Sequence, residues 1–194
     1  WVGDDDPTPP NTQVKQQLSK SIGKGLKVYF LAGNRDFLIG QHFFNDTQVI
    51  SLEDECVIDV FGVKTLLMHG DLLCTDDLEY QQFRQLTHNP AWQENTLSKP
   101  LTERLALAQH YRQESHLNKN NKSSEIMDVN ELTVIDTLKK HHAQRLIHGH
   151  THRPNIHTHT VNGQDVERFV LAEWDTCGSV LDWSESGYQI IELA

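Results

Sequence analysis

Ile147-His148-Gly149-His150-Thr151-His152-Arg153-Pro154 is the stretch on which the reading of the whole chain turns. Residues 145–147 before it read as a buried strand. A glycine follows, and then histidines alternating with small residues. Side chains at i and i+2 of an extended segment share a face, so His150 and His152 are expected to enter one pocket from an exposed turn. Two converging imidazoles are a metal site in prospect. A histidine-rich turn is equally what a plain polar turn looks like, so the rest of the chain must carry the reading.

Two more strand ends point the same way. Residues 63–68 read as a buried strand that runs into His69-Gly70-Asp71. Residues 27–32 form a short β-rich run that ends in Gly33-Asn34-Arg35-Asp36. Open α/β sheets place ligands at the carboxyl ends of strands. Three strand ends offering nitrogen and oxygen donors describe a site built across a sheet edge. Residues 49–52 and 56–61 read as further strands, with a turn at Gly62. After the histidine turn the apolar period becomes two. Residues 156–161 and 166–172 make a hairpin around Asn162-Gly163, a favoured two-residue turn. Residues 179–183 and 188–193 make a second pair around Glu185-Ser186-Gly187. The class is α/β, in layers.

The remaining pattern is helical. Residues 13–22 carry Val14, Leu18 and Ile22 at helical spacing, and Gly23 and Gly25 stop them. Between His69 and Arg145, residues 76–86 and 101–111 read as helices, and 118–124 as a polar loop. Asp128 is expected to cap the next helix in a box with Glu131, with Val129, Leu132, Ile135 and Leu138 as its buried stripe. The stretch of about 76–124 reads as a helical insertion, either a lid over the site or a plain layer on the sheet. The acidic run Asp4-Asp5-Asp6 reads as a solvated turn and helix cap, with a cation site as the sharper alternative.

Composition narrows the class. The chain has 194 residues, enough for one domain with a sizeable core. Its net charge of -10 argues against general nucleic-acid binding, which needs a basic face. No apolar run reaches membrane-spanning length. Three cysteines, Cys56, Cys74 and Cys177, lie far apart and read as reduced thiols of a cytosolic protein. Of twelve histidines, His42, His88, His110, His116, His141, His142, His157 and His159 read as surface or satisfied residues.

In that order, Gly33-Asn34-Arg35-Asp36, His69-Gly70-Asp71 and Gly149-His150-Thr151-His152 resemble the calcineurin-like metallophosphoesterase family. The resemblance implies an αββα sandwich with a two-metal centre. Arg35 stands where the broad family usually has His. With residues 1–6, 68–71, 74–77, 126–130 and 147–154, it narrows the resemblance to one branch. That branch hydrolyses the pyrophosphate bond of UDP-2,3-diacylglucosamine in lipid A biosynthesis, giving UMP and 2,3-diacylglucosamine 1-phosphate. The implied cofactor is two Mn²⁺, with Asn34, His69 and His150 on one ion and His152 on the other. The implied catalytic residues are Asn34, His69 and His150. The implied substrate contacts are Asn34, Arg35, Asp77, Ser115, Lys119, Lys122 and His150, with Tyr80 and Arg112 as additions. Leu101, Leu105, Leu107 and Tyr111 are candidates for an acyl-chain groove. The implied partner is a lipid-linked UDP-sugar, met at the inner-membrane surface of a Gram-negative bacterium by a cytoplasmic, peripheral enzyme. No protein partner is evident.

One departure is large. The family's first metal motifs, an Asp-x-His and a Gly-Asp, have no counterpart in residues 1–194. The domain is therefore expected to be N-terminally incomplete. It should lack a core strand or two, expose a sheet edge, hold at most one weak metal and be inactive alone. Two other readings stay open. One is a metallophosphoesterase for another nucleotide diphosphate or phosphodiester. The other is a metal-free interaction protein on the same fold.

Overall fold

The computed structural model describes residues 1–121, 126–174 and 177–193. In chain order the elements are α1 (Asn11–Ile22), β1 (Tyr29–Phe30), α2 (Gln41–Thr47), β2 (Ile50–Ser51), β3 (Glu55–Val60), β4 (Val63–Met68), a 3-10 turn (Asp71–Leu73), α3 (Leu78–Thr87), α4 (Pro90–Leu97), α5 (Leu101–Asn121), α6 (Glu131–His141), β5 (Arg145–His148), β6 (Asn155–Val161), β7 (Gln164–Val170), β8 (Gly178–Ser184) and β9 (Gly187–Leu193). This is the α/β class that the pattern predicts. The chain folds as two compact units. One holds Trp1–Leu52 and Leu78–Ser123, the other Glu53–Asp77 and Ser124–Ala194.

The second unit is built on a five-stranded mixed sheet of order β3-β4-β5-β7-β6. β4, β5 and β7 run parallel, and the hairpin partners β3 and β6 flank them antiparallel. Period two decides what covers each face. On one face Leu66, Met68, Leu146 and Val166 pack with Leu73 and with Val134 and Leu138 of α6. On the other, Phe169 meets the rings of Trp183 and Tyr188 from the β8–β9 hairpin, at centroid distances of 5.2 and 4.9 Å. The Arg145 guanidinium lies over Trp183, 4.0 Å from the ring centroid, where a cation is attracted by the aromatic face. The turn at Asn162-Gly163 takes φ of 52° and 78°, the left-handed pair that a type I′ hairpin needs.

The first unit is mainly helical. β1 and β2 form a two-residue parallel pair, so the strand expected over 27–32 shrinks to its centre. Phe37 anchors an aromatic cluster with Phe83 and Trp92, and Phe83 in turn packs edge-on against Tyr111. Three helical expectations need correction. α2 was not foreseen, nor was α4. Asn89 caps α4, accepting from the Ala91 and Trp92 amides, and Pro90 takes the first turn. α5 runs on to Asn121 through most of the expected polar loop. α1 buries no residue fully, and Val14 is exposed.

Unit two carries a further correction. α6 is capped by Asn130, whose side chain accepts from the Thr133 amide at 3.1 Å. Asp128 is spent elsewhere, bonding Arg153 at 2.5 Å. The register shift puts Val134 in the core and leaves Leu132 72% exposed.

Candidate metal centre

β4 and β5 are adjacent parallel strands, so their carboxyl ends deliver His69 and the histidine turn side by side. The ladder continues one step past the strands, with the Gly149 amide donating to the His69 carbonyl at 2.9 Å. The His69 and His150 rings stand edge-on with centroids 4.8 Å apart. Asp71, buried, places Oδ1 3.1 Å from His69 Nδ1. The alignment there makes no hydrogen bond, and His69 Nδ1 is a buried nitrogen with no hydrogen-bond partner.

The turn is not the extended segment that the sequence suggested. His150 and His152 both have left-handed backbones, with φ of 64° and 54°, and the Thr151 amide closes back on Gly149 O at 2.8 Å. The shared-face argument therefore fails. The imidazoles are presented by two left-handed residues, conformations that cost about 1–3 kcal/mol each and gather at functional sites. Gly70 makes the opposite turn possible. It has φ of 112°, and a Cβ there would stand 2.6 Å from His148 Nδ1.

The electrostatics suit a cation. Burial pushes the His150 pKa down to about 4, and the nearby His69 adds to the effect. Burial likewise pulls His148 to about 4. Both rings are neutral near pH 7, and a neutral imidazole offers the lone pair that metals bind. His152 is exposed and pairs through Nδ1 with Glu173, which leaves Nε2 as its ligating nitrogen. Cys74 is no thiolate donor. Burial, with Asp128 and Asp71 nearby, drives its pKa up to about 12, and only the thiolate binds metal. Among the described residues no three His, Cys, Asp or Glu side chains converge as a ready-made metal cluster. The orphaned His69 nitrogen and the neutral His150 ring still fit a divalent ion as part of its ligand set.

The other expected site residues are spread over both units. Asn34 and Arg35 lie in the first unit, at the tip of a turn closed by Asp36, whose Oδ2 accepts from the Gly33 amide at 3.0 Å. Asn34 is half-buried and Arg35 exposed. Ser115 is exposed on α5, and Lys119 lies one turn further along that helix. Lys122 lies outside the described residues. Asp77 belongs to the second unit and is buried just before α3. A polar cavity of ≈ 430 Å³ opens behind Arg153, lined by Asp128, Glu131, His157 and Arg168 among others.

Sequence reading assigned no role to Asp71, Gly70, His148 or Arg168. Asp71 had a signal, since it completes the quoted His69-Gly70-Asp71. The others depend on strand pairing across long sequence separations.

Residues 1–154 match the model of the calcineurin-like phosphoesterase family, and the chain belongs to that family. The family implies a hydrolase that works with divalent metal ions. The chain is 42% identical over 193 residues to the UDP-2,3-diacylglucosamine hydrolase of Klebsiella pneumoniae subsp. pneumoniae, covering 100% of this chain and 80% of the relative. It is 44% identical over 187 residues to the protein of the same name from Aromatoleum aromaticum, covering 96% and 76%. An Enterobacter relative of that name is 41% identical over 193 residues.

Proposed function

We propose that this chain is a metal-dependent hydrolase of the pyrophosphate bond of UDP-2,3-diacylglucosamine, acting in lipid A biosynthesis. The observation that carries the reading is the pairing of His69 and His150, 4.8 Å apart at neighbouring strand ends, in a chain whose relatives bear that name over its full length. His69, His150, His152 and Asn34 are the residues of this chain that would help hold the two Mn²⁺ of the intact protein, an ion that suits imidazole and amide donors. Divalent ions supply an activated water and charge neutralisation at the phosphorus. His150 supplies a neutral lone pair, and His69 a buried ring nitrogen with no hydrogen-bond partner. Arg35, exposed at its turn, is suited to phosphate oxygens, since a guanidinium donates two parallel hydrogen bonds. Asp77, Ser115, Lys119 and Lys122 are assigned to the rest of the substrate.

α5 carries the residues assigned to the acyl chains in this reading. Leu105 is 38% exposed, and Leu101, Leu107 and Tyr111 are half-buried. Among the described residues no helix is long and apolar enough to cross a membrane. The enzyme is assigned to the surface of the inner membrane, where its lipid substrate resides.

The test is hydrolysis of UDP-2,3-diacylglucosamine in ¹⁸O-water by the full-length protein, with and without Mn²⁺. UMP is expected only with the metal, and attack at the α-phosphorus places the label in UMP. His69→Ala is expected to abolish release. Full-length protein that yields no UMP, or yields it equally in chelator, overturns the reading.

A further inference from the structure

Arg168 is a guanidinium in the wrong place for an ordinary arginine. It sits mid-strand on β7 and is 5% exposed. Its neighbours on the same face, Val166 and Val170, are buried and apolar. Among the described residues it forms no ion pair. Burial lowers its pKa, and the charges of Asp128 and Glu131 only oppose this from a distance. A buried cation without a contacting carboxylate is costly, and an apolar side chain of similar length would be cheaper to bury.

What Arg168 does contact is two imidazoles. The register explains why. Arg168 pairs with Leu146 on β5 and His157 on β6, so His148 and His159 lie at the two diagonal positions, within reach of a long side chain. Nε donates to His159 Nε2 at 3.0 Å, and an Nη donates to His148 Nε2 at 3.1 Å. Arginine has donors only, so both Nε2 atoms must be acceptors. The proton of neutral His148 is therefore on Nδ1, which stands 2.9 Å from the Gly149 carbonyl. In the other tautomer two lone pairs would face each other there. Gly149 also binds the His69 carbonyl through its amide, and it precedes the left-handed His150. His148 is 1% exposed and fills the space that glycine at position 70 leaves. Its ring thus lies under both turns that carry the paired imidazoles.

We propose that Arg168 is a positioning residue: it holds His148 in the Nδ1–H tautomer, and through the Gly149 carbonyl it fixes the turn that presents His150 beside His69. The proposal rests on the metal-centre reading above and adds a residue to it. Glu131 stands at the far end of the chain of contacts, 3.7 Å from His159 Nδ1.

The test uses the full-length protein with ¹⁵N-labelled histidine, free of metal. Ring nitrogen shifts are expected to show wild-type His148 as the Nδ1–H form. Arg168→Met is expected to release it toward the Nε2–H form and to weaken Mn²⁺ binding, read by calorimetry, by about tenfold, the lower end of what such supporting partners contribute. His159→Phe is expected to keep the wild-type tautomer, because Arg168 still donates. An Nε2–H ring in the wild type overturns the proposal. So does an Arg168→Met protein with wild-type tautomer and wild-type Mn²⁺ affinity, or a switched tautomer in His159→Phe. Wild-type protein that neither binds Mn²⁺ nor releases UMP overturns the functional reading instead, and the metal-free tautomer measurement still decides this one.

Discussion

Asp4, Asp5 and Asp6 look alike in sequence and do three different things in the fold. Asp4 caps the start of α2, accepting from the Gly40 and Phe43 amides at 3.0 Å each. Asp6 is buried and accepts from the Thr8 amide and from Asn11. Asp5 takes a two-pronged bond from Arg104, whose buried guanidinium also donates to the Val2 carbonyl at 2.6 Å. All three carboxylates are engaged by protein donors. The Arg104 hydrogen bond holds the Asp5 carboxyl below its ordinary range. A carboxylate with a depressed folded pKa stabilises the fold above its unfolded value of about 3.9. That contribution is lost as pH falls through the folded pKa. Asp5 is 65% exposed on its side chain, so solvent screening keeps the effect to about 1 kcal/mol or less. Asp5→Asn is therefore expected to melt about 2–4 °C below wild type at pH 7. The gap should persist to about pH 5 and close in stronger acid. Thermal melts across that range check it, and a gap that widens on acidification sinks the assignment.

Among the elements, legibility followed the source of each element's stability. β4 and the Asn162-Gly163 hairpin were readable because period two and turn chemistry are local signals. α4 was missed because its eight residues show no apolar stripe, although Asn89-Pro90 announces a helix start. α5 continues past Tyr111 with a polar run that periodicity treats as loop. The residue types at the candidate centre were legible at each strand end, but their distances were not. Nothing in residues 63–71 or 145–152 alone states that β4 and β5 are parallel neighbours. The α6 cap is the clearest case of two local signals competing. Asp128 and Asn130 are both good cap residues, and Asn130 wins because its amide also donates to the Leu73 carbonyl at 2.8 Å. Its side-chain nitrogen further bonds Asp76. Asn130→Ala is expected to cost about 1 kcal/mol or somewhat more, and Asn130→Asp to recover part of it, since the carboxylate still accepts from Thr133 but faces Asp76. Urea unfolding of the two variants decides it. If Asn130→Ala matches wild type, the cap lies elsewhere.

For the whole molecule, the decisive property is what a bound cation does to the folded state. A ligand that binds the native chain and not the unfolded one stabilises it by mass action, about 2.7 kcal/mol at 100 times Kd. For a chain of this size that corresponds to a rise in Tm of about 5–11 °C. Twelve histidines and a net charge of -10 give the unfolded chain some affinity for divalent ions too, and this trims the effect. The two sources separate by position. His69 and His150 pair only in the fold, whereas His110 sits exposed on α5 beside Glu114. Mn²⁺ is therefore expected to raise the Tm of the wild type and of His110→Ala alike, and EDTA to reverse the rise. In His69→Ala and His150→Ala the rise should be largely lost. A shift that survives in those two variants would mean diffuse binding by an acidic, histidine-rich chain. The paired strand ends would then have no claim to the metal.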